Sequence, residues 1–319
     1  MNNIFNFRAF FNYLKRNRIY TLINVFGLAV SLTFAILIGV YVNREMSVDG
    51  FHRNGDRIYA LGHDNSLDYA FRIAYTLPPR YPEIEKVCPV VPWYHDYVSF
   101  VGDKKFNTKL LFVDSTFFDF FDFRLYGDKA NVLASPNSAI VSRSFARKAF
   151  GTENPVGQFV RIQDDLTMTV TGVVDDIAHS TIPYGDILVR IDNIRHFNQT
   201  MDREHFDNAG GAYIFIMKKE NTDLQAKTGD MEAFFKEIFW TFRRGMYKDA
   251  KLTPLKEVYF SDVRGRSMQH GDRQFVNILL LIGLAILLFA LINYINLTVA
   301  QTGFRAKEMA MRRLLGASR

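Results

Sequence analysis

The sequence has one cysteine among its 319 residues, Cys88, so it cannot form an intrachain disulfide. A domain without covalent cross-links depends on a hydrophobic core for its stability. The 30 phenylalanines and 15 tyrosines supply large apolar side chains for such a core. We therefore expect a folded domain that is stabilised by packing rather than by disulfides.

The sequence also lacks the motifs of common catalytic sites. No glycine directly precedes a lysine, which excludes the phosphate-binding loop of P-loop ATPases. The glycine-containing segment 151–157 has no lysine and includes Pro155, so it predicts a structural turn. There is no Gly-x-Ser-x-Gly elbow and no His-Glu-x-x-His motif, and the seven histidines are scattered, as is typical of solvated surface residues. We expect no enzyme activity and no cofactor or metal in this chain; any ATP would be bound by a partner subunit or by a missing segment.

Two long uncharged runs stand out from a composition that is otherwise ordinary. The first covers residues 19–42 and the second residues 276–304, and both exceed the roughly 20 residues that cross a bilayer. A cleaved signal peptide would have a shorter apolar region, of about 7 to 15 residues, and a small-residue cleavage site. We therefore predict transmembrane helices over residues 19–42 and 275–304.

The basic residues are concentrated beside these runs. Arg8, Lys15, Arg16 and Arg18 precede the first run without an acid, and five basic residues and one acid follow the second. The net charge is +6 and each flank carries +4, so residues 43–274 carry −2. Because cytoplasmic flanks collect Lys and Arg, this pattern predicts a plasma (inner) membrane protein with both termini in the cytoplasm. Nucleic-acid binding is not expected, since it would place the basic residues on the folded domain.

The segment between the runs mixes strand and helix patterns. β-branched and aromatic residues predict seven strands, at residues 57–61, 97–101, 109–113, 158–162, 166–174, 187–191 and 212–217. Apolar residues at helical spacing predict helices over 142–150 and 231–243. Five prolines predict an irregular, stiff connection at 78–92. The sequence thus predicts an α+β extracytoplasmic domain, residues 43–274, inserted between two transmembrane α-helices.

The N-terminal residues predict a further membrane contact. Residues 4–18 place apolar side chains on one helical stripe and basic side chains away from it. Such a pattern favours a cytoplasmic amphipathic helix over residues 1–18 that lies on membrane lipid. The alternative is that these residues are the cytoplasmic start of the first transmembrane helix.

Three asparagines fall within or beside the predicted spans. Asn293 and Asn296 are three residues apart and share a helix face, and Asn24 is the corresponding candidate on the first span. Polar side chains within a membrane can hydrogen-bond between helices, each contributing roughly 1 kcal/mol. The alternative for Asn296 is a position at the cytoplasmic interface.

Residues 305–319 predict an amphipathic cytoplasmic helix. At about 100° per residue, its small and apolar side chains share one face and most of its charged side chains lie opposite. Glu308 and Arg312 form an i,i+4 pair in the favourable order. A two-faced helix just inside the membrane suits docking onto a partner, and a lipid-facing anchor with snorkelling basic residues is the alternative.

Several motifs resemble those of MacB/FtsX-like ABC transporter permeases, and the resemblance covers nearly the whole chain. They are residues 20–29 (YTLINVFGLA), 51–59 (FHRNGDRIY), 139–142, 150–151, 154–157, 170–176 and 305–317. The resemblance implies a MacB-like periplasmic core domain and a coupling helix that contacts a cytoplasmic ABC ATPase subunit. The coupling residues would be Arg305, Lys307, Glu308, Arg312, Arg313, Leu314 and Gly316.

The resemblance also implies a mode of action and a set of partners. ATP-driven movement of the ATPase would shift the spans, and the outer domain would respond in export, extraction or mechanotransmission. Further partners would be a second permease unit, as a dimer or tandem repeat, and periplasmic or outer-membrane components. Family permeases have four spans, whereas this chain has two, so we expect an N-terminal portion that is truncated near Arg319. A two-span receptor for an extracytoplasmic ligand is the alternative function.

Overall fold

The computed structural model describes residues 18–93, 95–163, 166–201, 204 and 210–314. The predicted amphipathic helix over residues 1–18 thus lies outside the described residues, except for Arg18. The chain divides into two compact units, which we describe separately. The first, here termed the helix pair, comprises the described residues up to Met46 and from Asp272 onward; the second, the sheet domain, is Ser47–Gly271.

The described residues form eight α-helices and twelve strands. The helices are α1 (Arg18–Met46), α2 (Ile73–Arg80), α3 (Phe117–Phe120), α4 (Arg143–Phe145), α5 (Thr228–Ile238), α6 (Trp240–Arg243), α7 (Leu255–Val258) and α8 (Arg273–Leu314). The strands are β1 (Ile58–Gly62), β2 (Ile84–Pro92), β3 (Tyr97–Val101), β4 (Lys104–Thr108), β5 (Leu110–Val113), β6 (Leu125–Tyr126), β7 (Ser138–Ser142), β8 (Phe159–Ile162), β9 (Leu166–Val174), β10 (Ile187–Arg190), β11 (Tyr213–Lys218) and β12 (Lys251–Pro254).

Helices α1 and α8 pack antiparallel in the helix pair. The rings of Tyr41 and Phe275 meet edge to face with their centroids 6.5 Å apart. A Cβ atom on Gly283 would lie 2.9 Å from Cγ2 of Ile38, so the missing side chain lets the two backbones approach closely. By length and composition, Val25–Met46 and Arg273–Asn296 are long and apolar enough to cross a membrane.

Helix α8 continues without a break beyond its apolar part. The predicted span over 275–304 and the predicted helix over 305–319 are one helix as far as Leu314, the last described residue. The physical reason is composition: residues 305–314 are Arg, Ala, Lys, Glu, Met and Leu, which are strong helix formers, and no proline interrupts them.

All twelve strands of the described residues belong to one mixed sheet. Its order is β12-β1-β11-β2-β5-β10-β7-β9-β8-β3-β4, with β6 paired to β9. The β5/β10 and β7/β9 pairs are parallel and the other pairs are antiparallel. Strands β1 and β12, which lie nearest in sequence to α1 and α8, pair at one edge with Leu61 opposite Leu252.

Both faces of the sheet are buried, as the alternation of side chains shows. Leu111 and Val113 of β5 face a cluster that includes the phenylalanines of α3, and α7 covers the same face. Leu110 and Phe112 face the opposite side, in a second cluster to which α4 contributes. A third cluster contains the buried side chains of α2 and α5. This two-sided burial, with helices on an extended sheet, confirms the predicted α+β domain.

All seven predicted strands are present with ends within one residue of those observed. The interpretation of residues 78–92 as an irregular connection is wrong, because they form the end of α2 and all of β2. Pro89 lies one residue before Val90, where pairing with β5 begins, so its missing N–H interrupts no pairing between β2 and β5. The predicted helix over 231–243 is interrupted at Phe239, whose backbone is extended, and becomes α5 and α6.

Candidate functional site

The segment that joins α1 to β1, residues 47–57, contains most of the 51–59 motif; it is here termed the entry segment. Asp49 within it is completely buried. Its carboxylate accepts hydrogen bonds from the Ser180 hydroxyl, the Thr181 hydroxyl at 2.6 Å and the Thr181 backbone N–H at 3.0 Å. A buried carboxylate is tolerated only with donors of this kind. These hydrogen bonds connect the loop between β9 and β10 to Asp49, the third residue after the end of α1.

The backbone of Asp49 is also unusual. Its φ angle of 57° lies in the left-handed region, where aspartate and asparagine are among the few tolerated non-glycine residues. The Asp49 N–H donates to the backbone carbonyl of His179 at 3.3 Å, and the Ser47 hydroxyl is 3.0 Å from Nε2 of His179. Main-chain and side-chain contacts therefore join the same two segments.

His52 connects the entry segment to a second part of the sheet domain. Its ring is buried against Phe51, Phe121 and Phe123, at centroid distances of 4.1, 5.4 and 5.2 Å. Nδ1 accepts the backbone N–H of Asp122 at 3.0 Å, so in the neutral ring the proton lies on Nε2. Nε2 is 3.5 Å from the Asp49 carboxylate. His52 thus packs between the buried carboxylate and the segment that follows α3.

Ion pairs surround this buried centre. Arg53 pairs with the Asp122 carboxylate through Nε at 2.8 Å and through its backbone N–H at 2.7 Å. The Arg53 side chain is 83% exposed, so this pair contributes little to stability. The pair positions Asp122, whose backbone N–H donates to Nδ1 of His52.

The end of the entry segment contacts β2 and also α7, the last short helix before α8. Asp56 pairs with Lys256 of α7 at 2.7 Å, and Arg57 pairs with Glu85 of β2 at 2.6 Å. Strands β1 and β12 also pair directly. The segments nearest in sequence to the two long helices therefore meet at one edge of the sheet.

A charged cleft of about 300 Å³ lies beside the entry segment. Asp119 bridges Lys86 at 2.7 Å and Lys129 at 2.8 Å, and Arg53 lines the same cleft. Burial favours the neutral carboxyl, but the hydrogen bonds and charges of Lys129 and Lys86 outweigh it and lower the pKa of Asp119. Each cation lining the cleft is paired with a carboxylate, so the site presents no concentrated charge of one sign.

The residues predicted to couple to an ATPase lie at the end of α8. The backbone of Arg305, Lys307, Glu308, Arg312 and Arg313 is helical, but their side chains lie outside the described part of the chain. Leu314 is the last described residue of the helix and its side chain is 83% exposed, whereas Gly316 lies outside the described residues. Their role in coupling stays a prediction.

The predicted interhelical asparagines lie on the helix pair. Asn293 is half-buried and Asn296 is exposed on α8, and the side chain of Asn24 lies outside the described side chains. An interhelical hydrogen bond therefore stays a prediction for these three residues.

Sequence reasoning missed the buried polar centre. The Asp49-Gly50 pair indicates a turn, which is present, but the buried carboxylate gives no separate sequence signal. The interpretation of the histidines as solvated surface residues is wrong for His52 and His63, which are 2% and 5% exposed, because aromatic rings cover both. Among the described residues, no group of three or more His, Cys, Asp and Glu side chains could hold a metal ion.

Comparisons with known proteins identify the sheet domain. The model of the family "MacB-like periplasmic core domain" matches residues 21–234. A domain assigned to a permease of Porphyromonas gingivalis superposes with a TM-score of 0.54 at 18% identity, covering 72% of this chain and 99% of that one. No curated protein matches the sequence significantly.

Two further solved structures are similar at lower scores. The periplasmic region of MacB from Actinobacillus actinomycetemcomitans has a TM-score of 0.47 at 15% identity, over 64% of this chain and 91% of that one. The extracellular domain of the noncanonic ABC-type transporter YknZ from Gram-positive bacteria has a TM-score of 0.45 at 11% identity, over 61% and 99%.

Proposed function

Since the chain belongs to the family of the MacB-like periplasmic core domain, we propose that it is a permease subunit that couples ATP hydrolysis to movement of the sheet domain. In this proposal a separate cytoplasmic ABC ATPase binds ATP, and both chain termini lie in the cytoplasm. A second permease unit completes the transporter. The observation that carries the proposal is the insertion of this domain between two candidate membrane spans.

The length of α8 supports a connection between the two sides of the membrane. Its 42 residues extend about 63 Å at 1.5 Å per residue, about twice the 30 Å hydrocarbon thickness. Arg273–Asn296 is long enough to cross, and residues 297–314 continue as the same helix for about 27 Å. The predicted coupling residues from Arg305 to Leu314 therefore belong to the same helix as the span, and a force applied to them acts on the span directly.

Charge supports the orientation. The basic residues beside both spans favour a cytoplasmic position for both flanks, which would leave the sheet domain in the periplasm. An inner-membrane location agrees with a periplasmic core domain flanked by two candidate spans.

The proposal is tested by co-purification of the permease that contains this chain with its ATPase. Charge reversal of Arg312 and Arg313 to Glu is expected to lower ATPase recovery at least tenfold, because the predicted contact is basic. A matched double reversal of Lys104 and Lys105, two exposed lysines of β4, should leave recovery unchanged. Equal recovery with Arg312→Glu/Arg313→Glu and with wild type would exclude the assigned coupling contact.

A further inference from the structure

The entry segment is long enough to absorb a displacement of the end of α1. It contains eleven residues, and an extended chain covers at most about 3.3–3.6 Å per residue. A free linker of this length would take up a displacement of several ångströms at the end of α1 without moving β1. Transmission through this connection therefore requires the linker to be fixed.

Asp49 fixes the linker close to the helix. Only Ser47 and Val48 separate it from Met46, the last residue of α1. The carboxylate binds Ser180 and Thr181, which lie more than 130 positions away in the sequence. If Asp49 left this site, the donors of Ser180 and Thr181 would stay buried without an acceptor. Detachment of the linker is therefore strongly disfavoured.

His52 and Arg53 fix the linker at a second place. Both act on Asp122, His52 by accepting its N–H and Arg53 by pairing with its carboxylate. The second attachment leads into the phenylalanine-rich segment that covers one face of the sheet. Two attachments on different elements resist rotation of the linker as well as extension.

We infer that Asp49 is a positioning residue that transmits movement of α1 to the sheet domain, with His52 and Asp122 as the second attachment point. The inference rests on the proposed function, because it supplies the source of movement. With Asp49 in place the entry segment moves with the sheet; without it, the segment between Met46 and Ile58 yields and part of the movement is lost.

The test uses the complete permease–ATPase complex in lipid nanodiscs. Asp49→Asn removes the charge and one acceptor oxygen but keeps the shape and tolerates the positive φ angle. Thr181→Val removes only the hydroxyl donor from the other side of the contact and serves as a second, milder variant. Ser99→Ala is the matched control, because it removes a buried hydroxyl contact of 2.7 Å to Thr108 at the far end of the sheet.

The measurement is amide hydrogen exchange with and without ATP and vanadate. In the wild type we expect nucleotide-dependent changes in α1, α8 and the sheet domain. Asp49→Asn should keep ATPase binding and the changes in the helices, but should lower the change in the sheet domain at least twofold. Thr181→Val should act in the same direction, and Ser99→Ala should behave as wild type.

The outcomes separate the inference from the proposed function. A sheet-domain response of wild-type size in Asp49→Asn would overturn the inference, as would an equal loss in Ser99→Ala. A wild-type response confined to the helices would contradict movement of the sheet domain itself, so the proposed function and the inference would both fail. If nucleotide changes nothing in the wild-type helices, the proposed function fails and the inference fails with it.

Discussion

Replacement of Asp49 offers a sharp test of the buried centre, because its cost follows from named contacts. Asp49→Ala leaves the Ser180 hydroxyl, the Thr181 hydroxyl and the Thr181 N–H without their acceptor. Each unsatisfied buried donor costs about 1–3 kcal/mol, less where water enters. Alanine at a φ of 57° adds about 1 kcal/mol of backbone strain. With each of the three donors near the lower end of that range, we expect a loss of about 4–5 kcal/mol in the free energy of unfolding.

Asp49→Asn separates the cost of the lost hydrogen bonds from the cost of backbone strain. Asparagine tolerates the left-handed backbone and keeps one acceptor oxygen, so only part of the hydrogen bonding is lost. We expect a loss of about 2 kcal/mol for this variant. The difference between the two variants should therefore exceed the strain of alanine alone.

The assay can use the intact chain in detergent. Its two tryptophans, Trp93 and Trp240, both lie in the sheet domain, so their fluorescence during denaturant unfolding reports this unit. Ser99→Ala, which removes one buried hydroxyl contact, should cost about 1 kcal/mol and calibrates the measurement. A loss below about 1 kcal/mol for Asp49→Ala would refute the view that the carboxylate satisfies buried donors.

Three further predictions test other parts of the structure. Cysteines at positions 38 and 283 should form a disulfide on mild oxidation, because a Cβ on Gly283 would lie 3.5 Å from that of Ile38, whereas cysteines at Ile38 and Leu291 should not. Phe112→Ala should cost about 3–5 kcal/mol in denaturant unfolding, because the ring is fully buried in the core. Burial and the charges of Asp68 and Asp64 raise the pKa of Tyr247 to about 12 from 10.0, so the stability linked to its neutral form is present below pH 10 and lost as the pH rises through 12. Tyr247→Phe should therefore lose less stability than wild type between pH 9 and pH 12, measured by the same fluorescence assay.

Local sequence patterns predicted much of the sheet but not all of it. Strand β9 was evident from the alternation in residues 166–174, and β3 from its aromatic and β-branched residues. Strand β2 was missed because its prolines predict a break in regular structure. Only its pairing with β5 and β11 shows where a proline, which lacks a backbone N–H, is tolerated. Strand β12 is short and carries Lys251 and Pro254, so its pairing with β1 depends on the tertiary fold.

The candidate site was only partly predictable for a related reason. The 51–59 motif could be recognised from sequence, but the entry segment makes its contacts with Ser180, Thr181 and Asp122, which are distant in the chain. An aspartate before glycine predicts a turn whether its carboxylate is solvated or buried. Burial of Asp49 and His52 is a property of the folded domain, and no local pattern reports it.

The proposed function requires that ATP on the cytoplasmic side moves the sheet domain on the other side of the membrane. Its most direct test places an environment-sensitive dye on a cysteine at Lys219, an exposed position after β11, in the permease–ATPase complex. The complex is reconstituted in sealed inside-out vesicles, and ATP is added outside. We expect a fluorescence change on ATP addition that disappears with Arg312→Glu/Arg313→Glu. No change in the wild type, or the same change in the charge-reversed variant, would contradict the proposed function.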